Sequence, residues 1–367
     1  MSDFLIVGGG INGLLLARKL AAADADVVVL DQGRCGKEAS WAGGGIISPL
    51  YPWRYQSAVT ALASWAQEFY PQLVAELVEE TGIDPELRRS GLLMLAAEDA
   101  AAARRWAVLN RYKMETIDAA AIYQAEPQLA RGFESGLWMP DVANVRNPRL
   151  NQALVASLSS RPNVTIREQC QVIGFSSHGN RVSGIKVILN NERCELEADI
   201  VVVCAGAWSN KVLQFLGLSV EIEPVKGQML LFKFEQQPIK SILLNQGRYL
   251  IPRIDGHLLA GSTLEHCGFD KTATETAKQS LLQSAYKLLP MLKQHEIVGQ
   301  WAGLRPGAPQ GIPYIGKLDN FENLYVNAGH YRNGLVLAPA SARLLADCLL
   351  GNEPIIDPAP YLPANRH

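Results

Sequence analysis

Phe4-Leu5-Ile6-Val7 is a short, unbroken apolar run ended by glycine, the pattern of a strand buried on both faces. From Leu14 to Ala22 apolar residues recur at helical spacing among good helix formers. Val27-Val28-Val29-Leu30 is a second buried strand, closed by Asp31. Strand, helix and strand in this order predict the start of a parallel sheet.

Further along, Ser57 to Gly82 has helical periodicity, with Gly82 placed as a C-cap. Helices are also expected over Ala96 to Tyr112, an alanine-rich surface helix, and over Asp118 to Gln124. Asn147 to Ser159 is a helix with Pro148 at a tolerated first-turn position. Val164 to Ile166 and Cys170 to Gly174 are short strands, and Arg181 to Leu189 and Arg193 to Ala198 form a hairpin around Asn190-Asn191. The apolar run from Asp199 to Cys204, ending in Ala205-Gly206, returns to the parallel sheet. Strand-like runs at Met229 to Phe234, Tyr249 to Arg253 and His257 to Gly261 predict a mostly antiparallel second sheet, covered by a helix from about Glu275 to Leu289. An apolar helix follows Gly334 and ends near Gly351.

At 367 residues the chain exceeds one ordinary domain. A net charge of −2, with no basic cluster, excludes a nucleic-acid partner. The six cysteines are scattered with no CxxC pair, so free thiols in a reducing cytoplasm are expected rather than a metal cage or a disulfide framework. Glu265-His266-Cys267 with Asp270 is a polar turn rather than a metal site. The apolar stretch from Phe4 to Leu20 is broken by glycines and lacks a basic leader, so neither a signal peptide nor a membrane span is expected.

Chemistry first enters at Gly8-Gly9-Gly10-Ile11-Asn12-Gly13, which fits G-x-G-x-x-G between a strand and a helix. Gly8 permits the tight turn, Gly10 lets backbone approach a pyrophosphate, and Gly13 lets the helix pack on the sheet. The helix start offers N–H groups to the phosphates. Asp31, 18 residues after Gly13, can accept hydrogen bonds from an adenosine ribose. The motif alone does not separate NAD from FAD. Its place near the chain start, the late return to nucleotide-domain patterns, and the small-residue run Ala39-Ser40-Trp41-Ala42-Gly43-Gly44-Gly45-Ile46 favour FAD.

Arg305, in Trp301 to Gly307, and Arg332, in Asn327 to Gly334, stand among glycine, proline and aromatic residues rather than among charges. Such an arginine wants an anion, and a substrate carboxylate or an Asp or Glu elsewhere in the chain fits equally well from spacing alone. If Gly247 to Arg253 is a strand, Tyr249, Ile251 and Arg253 share one face. A core role for Tyr249 and a structural imidazole at His330 compete with ligand roles.

In order along the chain stand VGGGINGL, ASWAGGGI, CAGAWS, PVKGQ, YLIPR, WAGLRPG and GHYRNGLVLAPA. Together they resemble, nearly end to end, the glycine oxidase branch of the D-amino-acid oxidase-like flavoproteins. The resemblance implies that Tyr249, Arg305 and Arg332 hold a substrate carboxylate. It implies FAD contacts at Gly8, Gly10, Ile11, Asn12, Gly13, Asp31, Gln32, Ser40, Gly43, Gly44 and Gly45. It adds Val172, Ala205, Gly206 and Trp208, then Gly329, His330, Arg332, Asn333, Gly334 and Leu335. Related sarcosine oxidases attach flavin through a cysteine near the later arginine motif. None occurs between Cys267 and Cys348, so non-covalent FAD is expected.

The expected fold is α/β: a Rossmann-like FAD-binding domain over 1–49, 140–223 and 300–367, interleaved with an α+β substrate domain over 50–139 and 224–299. The expected reaction is hydride transfer from glycine, sarcosine or a small D-amino acid to flavin, without a dedicated general base. It gives an imine, then keto acid and ammonia, with hydrogen peroxide from oxygen. For glycine the imine can feed the thiazole ring of thiamin. A cytoplasmic homo-oligomer is the family expectation. A dehydrogenase of amino or hydroxy acids feeding a quinone would use the same arginines. A flavin-binding module without turnover is disfavoured by the paired arginines. A disulfide reductase would need a second fingerprint and a CxxC, and both are missing.

Overall fold

The computed structural model describes residues 2–96 and 98–366. Ser2–Val7 pairs in parallel with Val27–Leu30 on one side and Ala198–Val203 on the other. These strands are the centre of a six-stranded sheet, with Val164–Arg167 at one edge and Leu324–Ala328 and Tyr314–Lys317 at the other. Leu5 and Ile6 are 0% exposed, as an uninterrupted apolar strand requires when both faces are covered. The Ile11–Ala21 helix lies close on this sheet because Gly13 has no side chain; a Cβ there would come within 2.0 Å of the Gly8 carbonyl oxygen.

The second sheet has eight strands, in the order Ile297–Gly307, Glu223–Lys233, His257–Gly261, Arg248–Pro252, Ile242–Asn245, Leu92–Leu95, Ser135–Met139 and Glu115–Asp118. Its pairings are antiparallel apart from Ile242–Asn245 with Leu92–Leu95. The Glu275–Leu288 helix covers it with Leu281, Leu282, Ala285 and Leu288. A three-stranded sheet carries the hairpin, where Asn190 and Asn191 both take positive φ and so turn the chain in two residues.

Several expectations need correction. The Ser57–Thr81 helix, expected with the substrate segment, packs on the Asn147–Ser159 and Gly334–Leu350 helices beside the six-stranded sheet. Its face of Ala58, Leu62, Ala63, Ala66, Leu73 and Leu77 is buried there, and small residues allow the close approach. Leu92–Leu95, Glu115–Asp118 and Ser135–Met139 are strands where helices or nothing had been expected; each is short, and tertiary pairing decides it. The helix expected from Ala96 includes Ala97, which lies outside the described residues; the described helix is Ala100–Leu109. Ile297–Gly307 runs through the expected boundary at 300 as one continuous edge strand. Tyr331–Leu350 is long and apolar enough to cross a membrane by length and composition, and 67% of that window is buried inside the protein as a core helix would be.

Candidate functional site

A single cavity is lined by residues from both large sheets, from Asp31 at one end to Arg332 at the other. Gly8, Gly10, Ile11, Asn12, Asp31, Gln32 and Ser40 line one part of it, which reaches His330 through the Asn12 amide. Gly8 takes φ +115°, and a Cβ there would sit 2.4 Å from the Cys204 carbonyl oxygen, so glycine is required twice over. Gly10 is the N-cap of the Ile11–Ala21 helix and offers no side-chain cap. The Ser40 hydroxyl accepts from the Ile11 N–H at 2.9 Å. Its own proton stays free for a ligand oxygen. The Asp31 carboxylate accepts the Gly9 and Gly33 N–H groups, each at 2.8 Å. Burial raises its pKa, and those two N–H groups oppose the rise.

Val172, Ala205, Gly206 and Trp208 line the middle. Gly206 takes φ +53°, with nothing within 4 Å of a Cβ placed there. Gly43, Gly44, Gly45, Tyr249, Arg305, His330, Arg332, Gly334 and Leu335 line the far end.

Three expected cofactor contacts do not line the cavity. Gly13 is needed for helix packing, as above. Gly329, at φ +90°, faces Ala308 and Ile222, and Asn333 is buried behind the wall at 3% exposure.

Arg305 reaches the cavity from the edge strand Ile297–Gly307, whose partner strand places Gly227 beneath it. A Cβ at Gly227 would lie 2.1 Å from the Arg305 Nη1, so the guanidinium occupies space that only glycine leaves open. Arg305 donates to Ser262 Oγ at 2.7 Å and to the Thr263 carbonyl at 3.2 Å. Among the described residues neither Arg305 nor Arg332 forms a salt bridge, so the internal ion pair that spacing left open is not made. Burial lowers the Arg305 pKa, and the Arg332 charge acts in the same direction. The two cations are close enough to repel each other and have no protein counter-ion among the described residues, an arrangement able to accept an anion.

Tyr249 is 7% exposed; its hydroxyl lies 3.4 Å from the Met229 sulfur and within hydrogen-bonding reach of the Arg305 guanidinium. Thioether sulfur is a weak acceptor, so the O–H remains available to a better one. His330 is buried; its Nε2 bonds Ser341 Oγ at 2.9 Å and its Nδ1 faces the Asn12 amide at 3.5 Å. Burial lowers its pKa to about 3, so it is neutral at ordinary pH. The Gly334–Leu350 helix begins at the cavity wall without a side-chain cap, presenting its positive end.

Sequence reasoning missed Leu50, Asn147, Leu304 and Pro306, all of which line the cavity. Leu304 and Pro306 flank Arg305 within a motif already singled out. For Asn147 no local signal existed, because an Asn before Pro148 reads as a helix start.

Residues 3–348 match the family model described as FAD dependent oxidoreductase. The chain belongs to the FAD-dependent oxidoreductase family. Within that family it is 54% identical to a glycine oxidase of Pseudomonas putida, over 99% of this chain and 98% of that protein. A bifunctional protein ThiO/ThiG of Trichormus variabilis is 29% identical over 95% of this chain and 52% of its own length. Among solved structures, glycine oxidase from Geobacillus kaustophilus superposes with a TM-score of 0.92 at 29% identity, covering 100% of this chain and 99% of that one.

Proposed function

We propose that this FAD-dependent oxidoreductase oxidises glycine and other small amino acids, sarcosine and small D-amino acids included. The observation that carries this reading is the pair of arginines without protein counter-ions among the described residues, beside a tyrosine whose O–H has only a thioether to donate to, in a cavity that the G-x-G-x-x-G turn also lines.

The cavity residues fit FAD. Asn12 Oδ1 and Asn147 Oδ1 are buried cavity-lining atoms without a partner, as expected where a polar ligand completes the bonding. Gly10 and Gly206 leave open the space a long, flat ligand needs. On this reading the Gly8–Ser40 segment holds the adenosine diphosphate half, and Gly43 to Gly45 with the start of the Gly334–Leu350 helix holds the flavin half. The cofactor domain comprises 1–49, 140–223 and 300–367, and the substrate domain 50–139 and 224–299, with the Ser57–Thr81 helix docked on the cofactor side.

FAD, when bound, supplies a hydride acceptor at the ring and an electron route to oxygen. Arg305 and Arg332 bind the substrate carboxylate, and Tyr249 donates its O–H to it, which fixes the α-carbon for transfer. Among the described lining residues near Arg305 none is a good base: burial makes the His330 imidazole only weakly basic, and both its ring nitrogens face side-chain partners. The substrate ammonium therefore loses its proton to water at the exposed Arg332 mouth. The positive helix end at Gly334 would favour negative charge on a flavin bound beside it. The product imine hydrolyses, or for glycine supplies a thiazole ring for thiamin. The finer setting of this reading is a cytoplasmic homo-oligomer.

The test is a visible spectrum of the purified protein with glycine, first without oxygen and then with it. Loss of the flavin band, followed by its rapid recovery with peroxide in air, is the expected result. A band that glycine, sarcosine and D-alanine all leave intact overturns the substrate class, and sluggish recovery in air replaces oxygen with a carrier.

A further inference from the structure

Arg253 is not used by the reaction described above, yet it is 5% exposed and lies directly behind the cavity wall. It follows the Arg248–Pro252 strand on the same face as Tyr249 and Ile251. That face runs along the Gly44–Gly45 backbone. A Cβ at Gly44 would meet Ile251 Cδ1 at 2.6 Å and the Tyr249 ring at 3.2 Å. One at Gly45 would meet Arg253 Nη2 at 3.2 Å. The Arg253 guanidinium donates only to neutral oxygens: Gly44 O at 2.8 Å, Val145 O at 2.7 Å and Asn144 Oδ1 at 2.9 Å.

A buried guanidinium without a carboxylate in contact is costly, because desolvation penalises the charge. The nearby carboxylates, Glu86 and Asp255, are both paired to Arg146, at 3.2 and 2.7 Å. Arg146 and Asp255 are partly exposed, at 28% and 36% of their side chains, whereas Arg253 touches cavity-lining backbone. The group thus has its cation inside and its acids outside. An apolar side chain would avoid the desolvation cost but leave Gly44 O, Val145 O and Asn144 Oδ1 without this donor, so the guanidinium is both a clamp on these acceptors and a buried charge.

We propose that Arg253 is a positioning residue for the reacting end of the cavity: it fixes the Gly44–Gly45 backbone against the Tyr249 strand, and its charge favours negative charge on the flavin ring. The proposal rests on the reading above that the flavin lies at the Tyr249 end. A Cβ at Gly44 would meet the Tyr249 ring, so a charge held on the Gly44 carbonyl sits beside the Tyr249 part of the cavity. In a desolvated site such a charge acts with little screening.

The experiment is a flavin titration of the holoenzyme with sulfite, an anion whose flavin adduct carries negative charge on the ring, together with the two-electron midpoint potential. Arg253→Met should retain FAD, weaken sulfite binding at least tenfold, and lower the potential, by about 30 mV for each tenfold change in the reduction equilibrium. Arg253→Lys, which keeps the charge and loses the fork, should stay within about threefold of wild type for sulfite while releasing FAD more readily. Should Arg253→Met fail to hold FAD, Asp255→Asn decides: removing an outer acid should tighten sulfite binding about twofold. Sulfite affinity and potential unchanged in Arg253→Met, or an unchanged affinity in Asp255→Asn where that variant decides, overturn the proposal. A wild-type protein that holds no flavin, or whose flavin glycine does not bleach, instead overturns the reading on which it rests.

Discussion

At the Asp31 end of the cavity the polar groups come from one stretch of chain, Gly8 to Ser40, and most are backbone N–H groups or glycines. At the Tyr249 end they come from the Gly43–Gly45 turn, the Arg248–Pro252 strand, the edge strand carrying Arg305 and the segment around Arg332. The first end, on the proposed reading, recognises shape and phosphate charge with main chain, so its specification is local, and Gly8 and Gly13 each have a geometric reason. The second, on the proposed reading, recognises a small anion with long cationic side chains. Their aim depends on distant residues such as Gly227 and Ser262. The two ends should therefore break in different ways.

The largest effect is expected at the local end. Gly8→Val places a branched side chain at φ +115° against the Cys204 carbonyl, so the turn cannot form without moving the sheet, at a cost of roughly 3 kcal/mol or more. The protein should purify colourless, and added FAD should not restore the spectrum. A yellow Gly8→Val protein would show that the first end tolerates what its geometry forbids.

Next comes the far end, where damage should spare the cofactor. Arg305→Met should keep the flavin spectrum and lose kcat/KM for glycine by roughly a hundredfold, about 3 kcal/mol for a truncated charge pair. Gly227→Ala, which touches no ligand, should displace the Arg305 guanidinium and raise KM by roughly tenfold. Steady-state kinetics with FAD content measured in parallel would separate the two ends. Loss of FAD from Arg305→Met would merge them.

The smallest effect concerns pH. His330 titrates at about 3 in the folded protein against a reference of 6.5, because burial disfavours its charge. Between those values the unfolded chain binds more protons, so stability is complete above pH 6.5 and declines as pH falls toward 3. Melting temperatures recorded from pH 7 to 4 should fall less steeply in His330→Asn than in wild type. Parallel curves would mean that the far-end helix is not the acid-sensitive part.

Legibility followed the same division. The strand, turn, helix and acid of the first end were readable because each is a pattern within a few residues: apolar run, glycine spacing, helical period. Ser57–Thr81 and Glu275–Leu288 were readable for the same reason, with Gly82 at φ +69° ending the former. The docking of Ser57–Thr81 was not, since its apolar face fits either layer until the Gly334–Leu350 helix is present to receive it. Leu92–Leu95 was missed because four leucine and methionine residues carry no period of their own.

The sequence by itself determined the nucleotide turn, the order of the elements and the residue types able to bind a carboxylate, since these depend on spacing along the chain. Only the tertiary structure decided that Arg305 and Arg332 lack an internal acid, that Gly227 clears room for one of them, and that Arg253 reaches back to Gly44. Those facts depend on which strands become neighbours. Charge compensation and close contact are set by distance in space, and neither is encoded in the separation of residues along the chain.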